Sequence, residues 1–358
     1  LTQNKLYKLI QGEHPITTPN IYLMVYDSYL PEETMLYHGI NNSEQLHYLS
    51  NKGFTIYQDI YSIQSGTLAT MSRVLNASDN YYGNSRRGVS GDGVVHKIFH
   101  ELGYKTSGIF YSDFMFRGIG SSYDFSLPNG NSPAYIQVIS STLSGEFRFD
   151  EDYSEIPHDL FIARKKVSLV EASQGKTFVY SHTNLPNHTQ NSGVCLPNEV
   201  EMYIERLNKA NSEMKGDVEI IIANDPSAII IIAGDHGPHL TKNCTRTSKT
   251  GIDMSEIDRW DIQDRFGTFL AIRWPTESFS EFDGIQILQD VFPSVLGYMY
   301  NDINLLSVKV EPNINKHNAI SYASVKNGII IGGINDGDTL CSGPIKLDSI
   351  SGFLRGYR

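Results

Sequence analysis

Runs of consecutive apolar residues alternate with amphipathic stretches along most of this chain, and each run stops at a polar or glycine-containing break. The most continuous is Ile229-Ile230-Ile231-Ile232-Ala233, bounded by Pro226 behind and Gly234 ahead. A run apolar at every position fits a strand buried on both faces, as inside a largely parallel sheet. Asn20 to Tyr26 repeats the pattern with β-branched and aromatic residues. Phe54 to Tyr61, Lys105 to Tyr111, Thr177 to Tyr180 and Phe266 to Trp274 read as further strands. Helical spacing of apolar residues appears in Ser43 to Asn51, Thr67 to Leu75, Val94 to Leu102, Leu160 to Ser173, Glu199 to Lys215 and Gly284 to Tyr298. This β-α-β alternation predicts an α/β fold, a doubly wound and mostly parallel sheet with helices on both faces.

The pattern also suggests boundaries. Residues 1–18 are polar and turn-rich and read as a linker or lead-in, residues 19–303 as the main α/β domain, and residues 304–358 as a small β-rich extension packed on it. Within the extension, Ile330-Ile331-Gly332-Gly333-Ile334 precedes no helix, so it predicts a hairpin or meander and not a dinucleotide fingerprint. Residues 76–90 read as an exposed loop, and Thr241 to Asp258 as a polar loop long enough to act as a lid. Phe114 to Pro157 mixes aromatics with turn residues and suggests no chemistry.

Charge narrows the partners. Among 358 residues, 29 Lys and Arg face 40 Asp and Glu for a net charge of -11, and no basic run stands out, so nucleic acid is not an expected partner. The three cysteines form no CxxC pair. In an oxidising compartment Cys195 and Cys244, on loops flanking the isoleucine run, are the pair to expect, leaving Cys341 free. The sequence starts at Leu1 without a signal peptide or a membrane-spanning run, which reads as a piece of a longer chain with an N-terminal anchor upstream.

The candidate chemistry sits where apolar runs end. Open α/β sheets bind ligands at the carboxyl ends of their strands. Asp27-Ser28 follows the first run, Ser181-His182 follows the Thr177 run with His188 close behind, and Asp235-His236-Gly237-Pro238-His239 follows the isoleucines. Carboxylates and imidazoles delivered to one sheet edge offer oxygen and nitrogen donors to a divalent metal. Each residue alone has a structural reading: Asp27 and Asp235 as turn or helix caps, the histidines as hydrogen-bonded loop residues. Thr67, at a helix start after Gly66, either caps its own helix or aims its hydroxyl outward at an electrophile.

Asp27 after the first strand, Thr67 at a helix start, His182 after a middle strand and Asp235-His236-Gly237 after the isoleucine strand, in this order, resemble the alkaline phosphatase and sulfatase superfamily. The likeness is to its bacterial membrane-associated branch of phosphoethanolamine transferases and lipoteichoic acid synthases. It extends to Tyr61-Ser62 with Ser72 to Asn76, to Tyr203 to Asn211, to Arg265 to Pro275 and to Ile285 to Gly297. The resemblance implies a divalent metal (zinc, manganese or magnesium, with a second ion as an option) held by Asp27, Thr67, Asp235 and His236. It implies Thr67 as nucleophile, forming a phosphothreonine, because coordination to a cation activates an otherwise weak hydroxyl. His182 is the further catalytic candidate, and His188 and His239 are candidates for substrate binding or a second metal. The family's Pro-His-x-Pro is replaced here by Pro186-Asn187-His188. The implied substrate is a phospholipid or glycan phosphate, and the implied setting is the periplasmic or extracellular face of a bacterial membrane.

The alternatives are a sulfatase-like hydrolase of another ester, or a degenerate member that binds a glycan or partner without turnover. Against the first, sulfatases mature a Cys or Ser in a Cys/Ser-x-Pro/Ala-x-Arg context. Ser65-Gly66-Thr67-Leu68-Ala69 lacks that context, and Thr67 cannot form the aldehyde.

Overall fold

The isoleucine strand lies inside a seven-stranded sheet of order β2-β7-β6-β1-β5-β3-β4. The structure, a computed structural model, describes residues 4–129, 156–189, 198–241, 254–315 and 323–340. The strands are β1 (Ile21–Tyr26), β2 (Phe54–Tyr57), β3 (Lys105–Phe110), β4 (Phe125–Leu127), β5 (Thr177–Thr183), β6 (Ile229–Ala233) and β7 (Leu270–Arg273). β1 runs parallel to both neighbours, with Val25 opposite His182 on β5 and Ala233 on β6. That register brings Asp27, His182 and Asp235 out at one sheet edge. β7 alone is antiparallel, to β6 and to β2.

The helices are α1 (Lys5–Ile10), α2 (Glu32–Tyr37), α3 (Ser43–Asn51), α4 (Thr67–Val74), α5 (Val94–Glu101), α6 (His158–Ala172), α7 (Glu199–Asn224), α8 (Arg259–Phe266) and α9 (Val291–Tyr300). Strand alternation sorts them into two layers. Ile21, Leu23, Val25, Ile229 and Ile231 pack against α1, α4, α5 and α9. Tyr22, Met24, Tyr26, Ile230 and Ile232 pack against α2, α3, α6 and α7. Every position of β6 is therefore covered, and its isoleucines are all 0% exposed. This is the doubly wound architecture the apolar runs predict.

Several local readings change. Residues 5–10 of the expected lead-in form α1, because Asn4 caps the helix from its side chain and Leu6 is fully buried in the core. Within residues 76–90, Val89 and Ser90 are buried where the chain turns back between Ser72 and Tyr123. Phe266 belongs to α8, which a reciprocal capping box between Asp258 and Asp261 starts, so the strand begins only at Leu270. The expected helix from Gly284 begins at Val291, after a single 3-10 turn over Leu288–Asp290. α7 continues through Asn224.

In the C-terminal part, β8 (Ser324–Lys326) and β9 (Ile329–Ile331) form a hairpin, with Asn327 and Gly328 both at positive φ in its turn. Val325, Ile330 and Leu340 join Ile257, Ile262 and Ile63 in a separate apolar cluster, and the Tyr61 hydroxyl donates to the Pro312 carbonyl at 2.9 Å. Among the described residues no helix is long and apolar enough to cross a membrane. The Cys195–Cys244 pairing, Cys341 and most of the 241–258 loop lie outside the described residues.

Candidate metal centre and adjoining cleft

Asp235 leaves β6 fully buried, and its two oxygens have different surroundings. Oδ1 accepts from the backbone N–H groups of Ser28 at 2.9 Å and His236 at 3.0 Å. Oδ2 has no hydrogen-bond partner. Asp27 is arranged alike: its Oδ1 accepts from the Ser28 hydroxyl at 2.7 Å, while Oδ2 lies 3.7 Å from His182 Nε2. Ser28 therefore ties both carboxylates, from a left-handed backbone at φ 60. His236 Nδ1 is 2.8 Å from the Gly237 carbonyl, to which it donates, leaving Nε2 as the free lone pair. One atom each of Asp27, Asp235 and His236 falls within 4.8 Å of the others.

The two glycines beside this pair are there for close approach. A Cβ on Gly234 would lie 2.4 Å from the Tyr29 carbonyl oxygen, and one on Gly237 would lie 2.0 Å from that of Asp264. Both distances are steric overlaps, so the turn carrying Asp235 and His236 fits between β1's exit and α8 only without side chains.

Thr67 lies beside this group. Gly66, not a side chain, occupies the N-cap of α4, and the Thr67 hydroxyl instead sits 3.4 Å from His236 Nε2. The Thr67 hydroxyl therefore does not cap its own helix. Thr67 also lines a cleft of about 380 Å³ with His188, His236, His239 and Phe114. Their imidazoles cluster, with ring centroids of the three histidines 5.6 to 6.2 Å apart.

His182 is placed differently. Its Nδ1 pairs with the Tyr180 hydroxyl at 2.9 Å, and its Nε2 faces Asp27 at 3.7 Å and Asp235 at 3.9 Å. It attends the carboxylates, and it is not among the residues lining the cleft. His188 and His239 do line it. Phe114 is the cleft residue that sequence reasoning missed. Its only sequence signal is its place in the turn that follows β3.

Electrostatics follow from the packing. Burial alone would raise the Asp27 carboxyl, but His182 facing it at 3.7 Å and the charge of His236 outweigh that and hold it well below the usual carboxylate range. Burial would likewise lower His236, yet Asp235 and Asp27 beside it push it up. Burial, with Arg265 and the other two imidazoles nearby, keeps His239 well below an ordinary histidine and therefore neutral.

This donor set fits a divalent cation. Asp235 Oδ2 and His182 Nε2 are buried with no hydrogen-bond partner, and a buried polar atom left unpaired is costly. Two carboxylate oxygens, an imidazole nitrogen and a hydroxyl are ligands that zinc, manganese and magnesium accept.

No family model matches the chain, and no curated protein matches it in sequence. Solved structures do. The lipoteichoic acid synthase LtaP from Listeria monocytogenes superimposes with a TM-score of 0.55 at 12% identity, covering 93% of this chain and 88% of that one. The lipooligosaccharide phosphoethanolamine transferase EptA from Neisseria meningitidis, an integral membrane protein, gives 0.51 at 12% identity over 84% of this chain and 58% of that one. The C-terminal periplasmic domain of EcEptC from Escherichia coli gives 0.50 at 13% identity over 88% and 93%. The chain has their fold. The resemblance to the alkaline phosphatase and sulfatase superfamily drawn from strand-end residues thus stands at the level of the fold.

Proposed function

We propose that this protein is a metal-dependent phosphoryl-group transferase or phosphodiesterase with Thr67 as its nucleophile. The observation that carries this reading is the Thr67 hydroxyl, turned away from capping α4 and set 3.4 Å from His236 Nε2 in the cleft. Asp27, Thr67, Asp235 and His236 would hold one divalent ion. When bound, it supplies positive charge that favours the deprotonated threonine and offsets the charge of a phosphoryl group.

The chain's own residues do the rest. Thr67 Oγ1 attacks phosphorus, the bond from phosphorus to the leaving alcohol breaks, and a phosphothreonine forms. The first-turn N–H groups of α4 lack partners within the helix and suit phosphoryl oxygens. His188 Nδ1 donates to the Thr189 carbonyl at 2.8 Å, so Nε2 is the atom that passes a proton to the leaving oxygen and later takes one from the acceptor. Neutral His239, its Nε2 without a hydrogen-bond partner, offers a hydrogen bond to the substrate. His182 holds the two carboxylates in place. Water as acceptor makes a hydrolase, an alcohol a transferase.

The fold neighbours, named for lipoteichoic acid synthesis and phosphoethanolamine transfer, support a lipid- or glycan-linked phosphate as substrate. The one named as a periplasmic domain and the one named as a membrane protein support a tethered domain on the outer face of the bacterial inner membrane. The test is metal content by mass spectrometry together with hydrolysis of bis(4-nitrophenyl) phosphate. Wild type should carry a divalent ion that Asp235→Asn loses. Thr67→Ala should cut turnover at least about 100-fold. Undiminished turnover in Thr67→Ala removes the nucleophile from the mechanism.

A further inference from the structure

α4 begins without the kind of residue that usually starts a helix. Ser, Thr, Asp or Asn at the N-cap accepts from a first-turn N–H group and fixes the entering chain. Here Gly66 holds that position, and no side chain caps the helix. Space is not the reason, because a Cβ on Gly66 would meet nothing within 4 Å. A capping oxygen there would occupy N–H groups that suit a phosphoryl group. The chain entering α4 is fixed by other means.

Those means are a buried polar cluster. Ser62, Thr70 and Gln289 are each 0% exposed. Thr70 Oγ1 donates to the Gln64 carbonyl at 3.1 Å, so the Ser62 hydroxyl, 3.0 Å away, donates to Thr70. Ser62 Oγ in turn accepts from the Gln64 N–H at 3.1 Å and from Gln289 Nε2 at 3.0 Å. Gln289 Oε1 accepts from the Ile63 N–H at 3.4 Å. This order gives the Ser62 hydroxyl its full set of one donated and two accepted bonds. Buried polar groups are costly unless satisfied, and a fully satisfied network favours one conformation.

The cluster brackets the nucleophile. Ser62 to Gln64 lie ahead of Thr67, and Thr70 lies one turn after it, its N–H closing that turn onto the Gly66 carbonyl at 2.9 Å. Gln289 belongs to the 3-10 turn before α9, 227 residues from Ser62. Backbone bonds hold the start of the loop: the Ser62 N–H donates to the Phe266 carbonyl at 2.7 Å, and the Leu288 N–H to that of Tyr61 at 3.0 Å. At Ile63 and Gln64 side chains take over, those of Gln289, Ser62 and Thr70.

We propose that Gln289 is a positioning residue for Thr67: acting through Ser62 and Thr70, it replaces the absent helix cap and fixes the loop so that the Thr67 hydroxyl and the uncapped N–H groups of α4 are presented together. The proposal rests on the phosphoryl-transfer reading and adds to it a residue from a distant segment that touches neither substrate nor metal.

The test is steady-state turnover of bis(4-nitrophenyl) phosphate by the metal-loaded protein, with a melting temperature for every variant. Gln289→Met and Thr70→Val keep the side-chain size without the hydrogen bonds, and either decides if the other does not fold. Each should lower kcat at least about tenfold while KM stays within about twofold, because neither residue touches the substrate. Thr70→Ser keeps the hydroxyl and should turn over as wild type does. The double variant Gln289→Met with Thr70→Val should lose no more than the worse single one, since both break one network. In the metal-free protein the Thr67 methyl resonance should move in Gln289→Met while the Asp235 amide does not. Turnover lost in Thr67→Ala but kept in Gln289→Met and Thr70→Val overturns the proposal, as does an equal loss in Thr70→Ser. Undiminished turnover in Thr67→Ala removes the phosphoryl-transfer reading instead and leaves the resonance to decide the positioning claim. A Thr67 methyl unmoved in Gln289→Met overturns that claim in either case.

Discussion

Ser28 shows how much a single residue decides at this centre. Its N–H fixes Asp235 and its hydroxyl fixes Asp27, so the remaining carboxylate oxygens turn inward together. Outer partners of this type tune metal affinity by about 10- to 100-fold. Ser28→Ala is therefore expected to weaken zinc or manganese binding by that factor in a competition titration, with the melting temperature of the metal-free protein unchanged. Equal affinities would show that the Ser28 hydroxyl does not position Asp27 for the metal. At this scale the sequence was informative about which residues meet and uninformative about orientation. Asp27, Thr67, Asp235 and His236 were legible because each follows an apolar run or opens a helix. The facing of His182 toward carboxylates, and of His188 and His239 toward the cleft, depends on ring rotamers and on the Asn187 and His239 backbones at positive φ. Neither has a sequence signature.

At the scale of elements, the site exists because β6 and β1 are adjacent and parallel while α8 presses against the turn after β6. Gly237 is the point of closest approach. Gly237→Ala should destabilise the protein by about 1 to 3 kcal/mol, an overpacking cost, and should abolish metal binding because Asp235 and His236 must shift to make room. Chemical denaturation with a metal titration on the folded variant checks both effects, and normal metal affinity would contradict the account. β1 and β6 were legible as apolar runs bounded by Asp27 and Gly234. α8 was not: its Arg, Asp and Gln residues are buried through polar partners, so it has little apolar periodicity, and only the Asp258 and Asp261 capping pair marks its start. α1 escaped notice for a related reason, being too short to show a full helical repeat.

Across the whole molecule, stability should depend on pH through a carboxylate pair outside the metal centre. Burial, reinforced by the charge of Asp59, pushes half-buried Glu33 up to about 8, and burial pushes Glu32 up to about 7. Both hold protons in the folded protein that the unfolded chain releases above its ordinary value of 4.5. Their contribution to stability is full below that value and is lost as pH rises through the folded values. Glu33→Gln keeps the contact with Asp59 without the ionisation. Its melting temperature should gain on wild type by a few degrees between about pH 5 and pH 8. A constant difference across that range would place the proton elsewhere. The doubly wound sheet itself was legible, because its alternation of apolar runs and amphipathic stretches spans most of the chain. The packing of residues 323–340 against Ile257 and Ile262 was not, since contacts between distant short segments leave no periodic pattern.

The central claim is that Thr67 carries the phosphoryl group between donor and acceptor. Acid quenching of the metal-loaded protein during turnover of bis(4-nitrophenyl) phosphate, followed by peptide mass spectrometry, measures this directly. The account predicts a 4-nitrophenylphosphoryl adduct on Thr67, formed with release of one 4-nitrophenol, that disappears when donor is exhausted and is absent from Thr67→Ala. Turnover with no adduct on Thr67, or with the adduct on another residue, would contradict it.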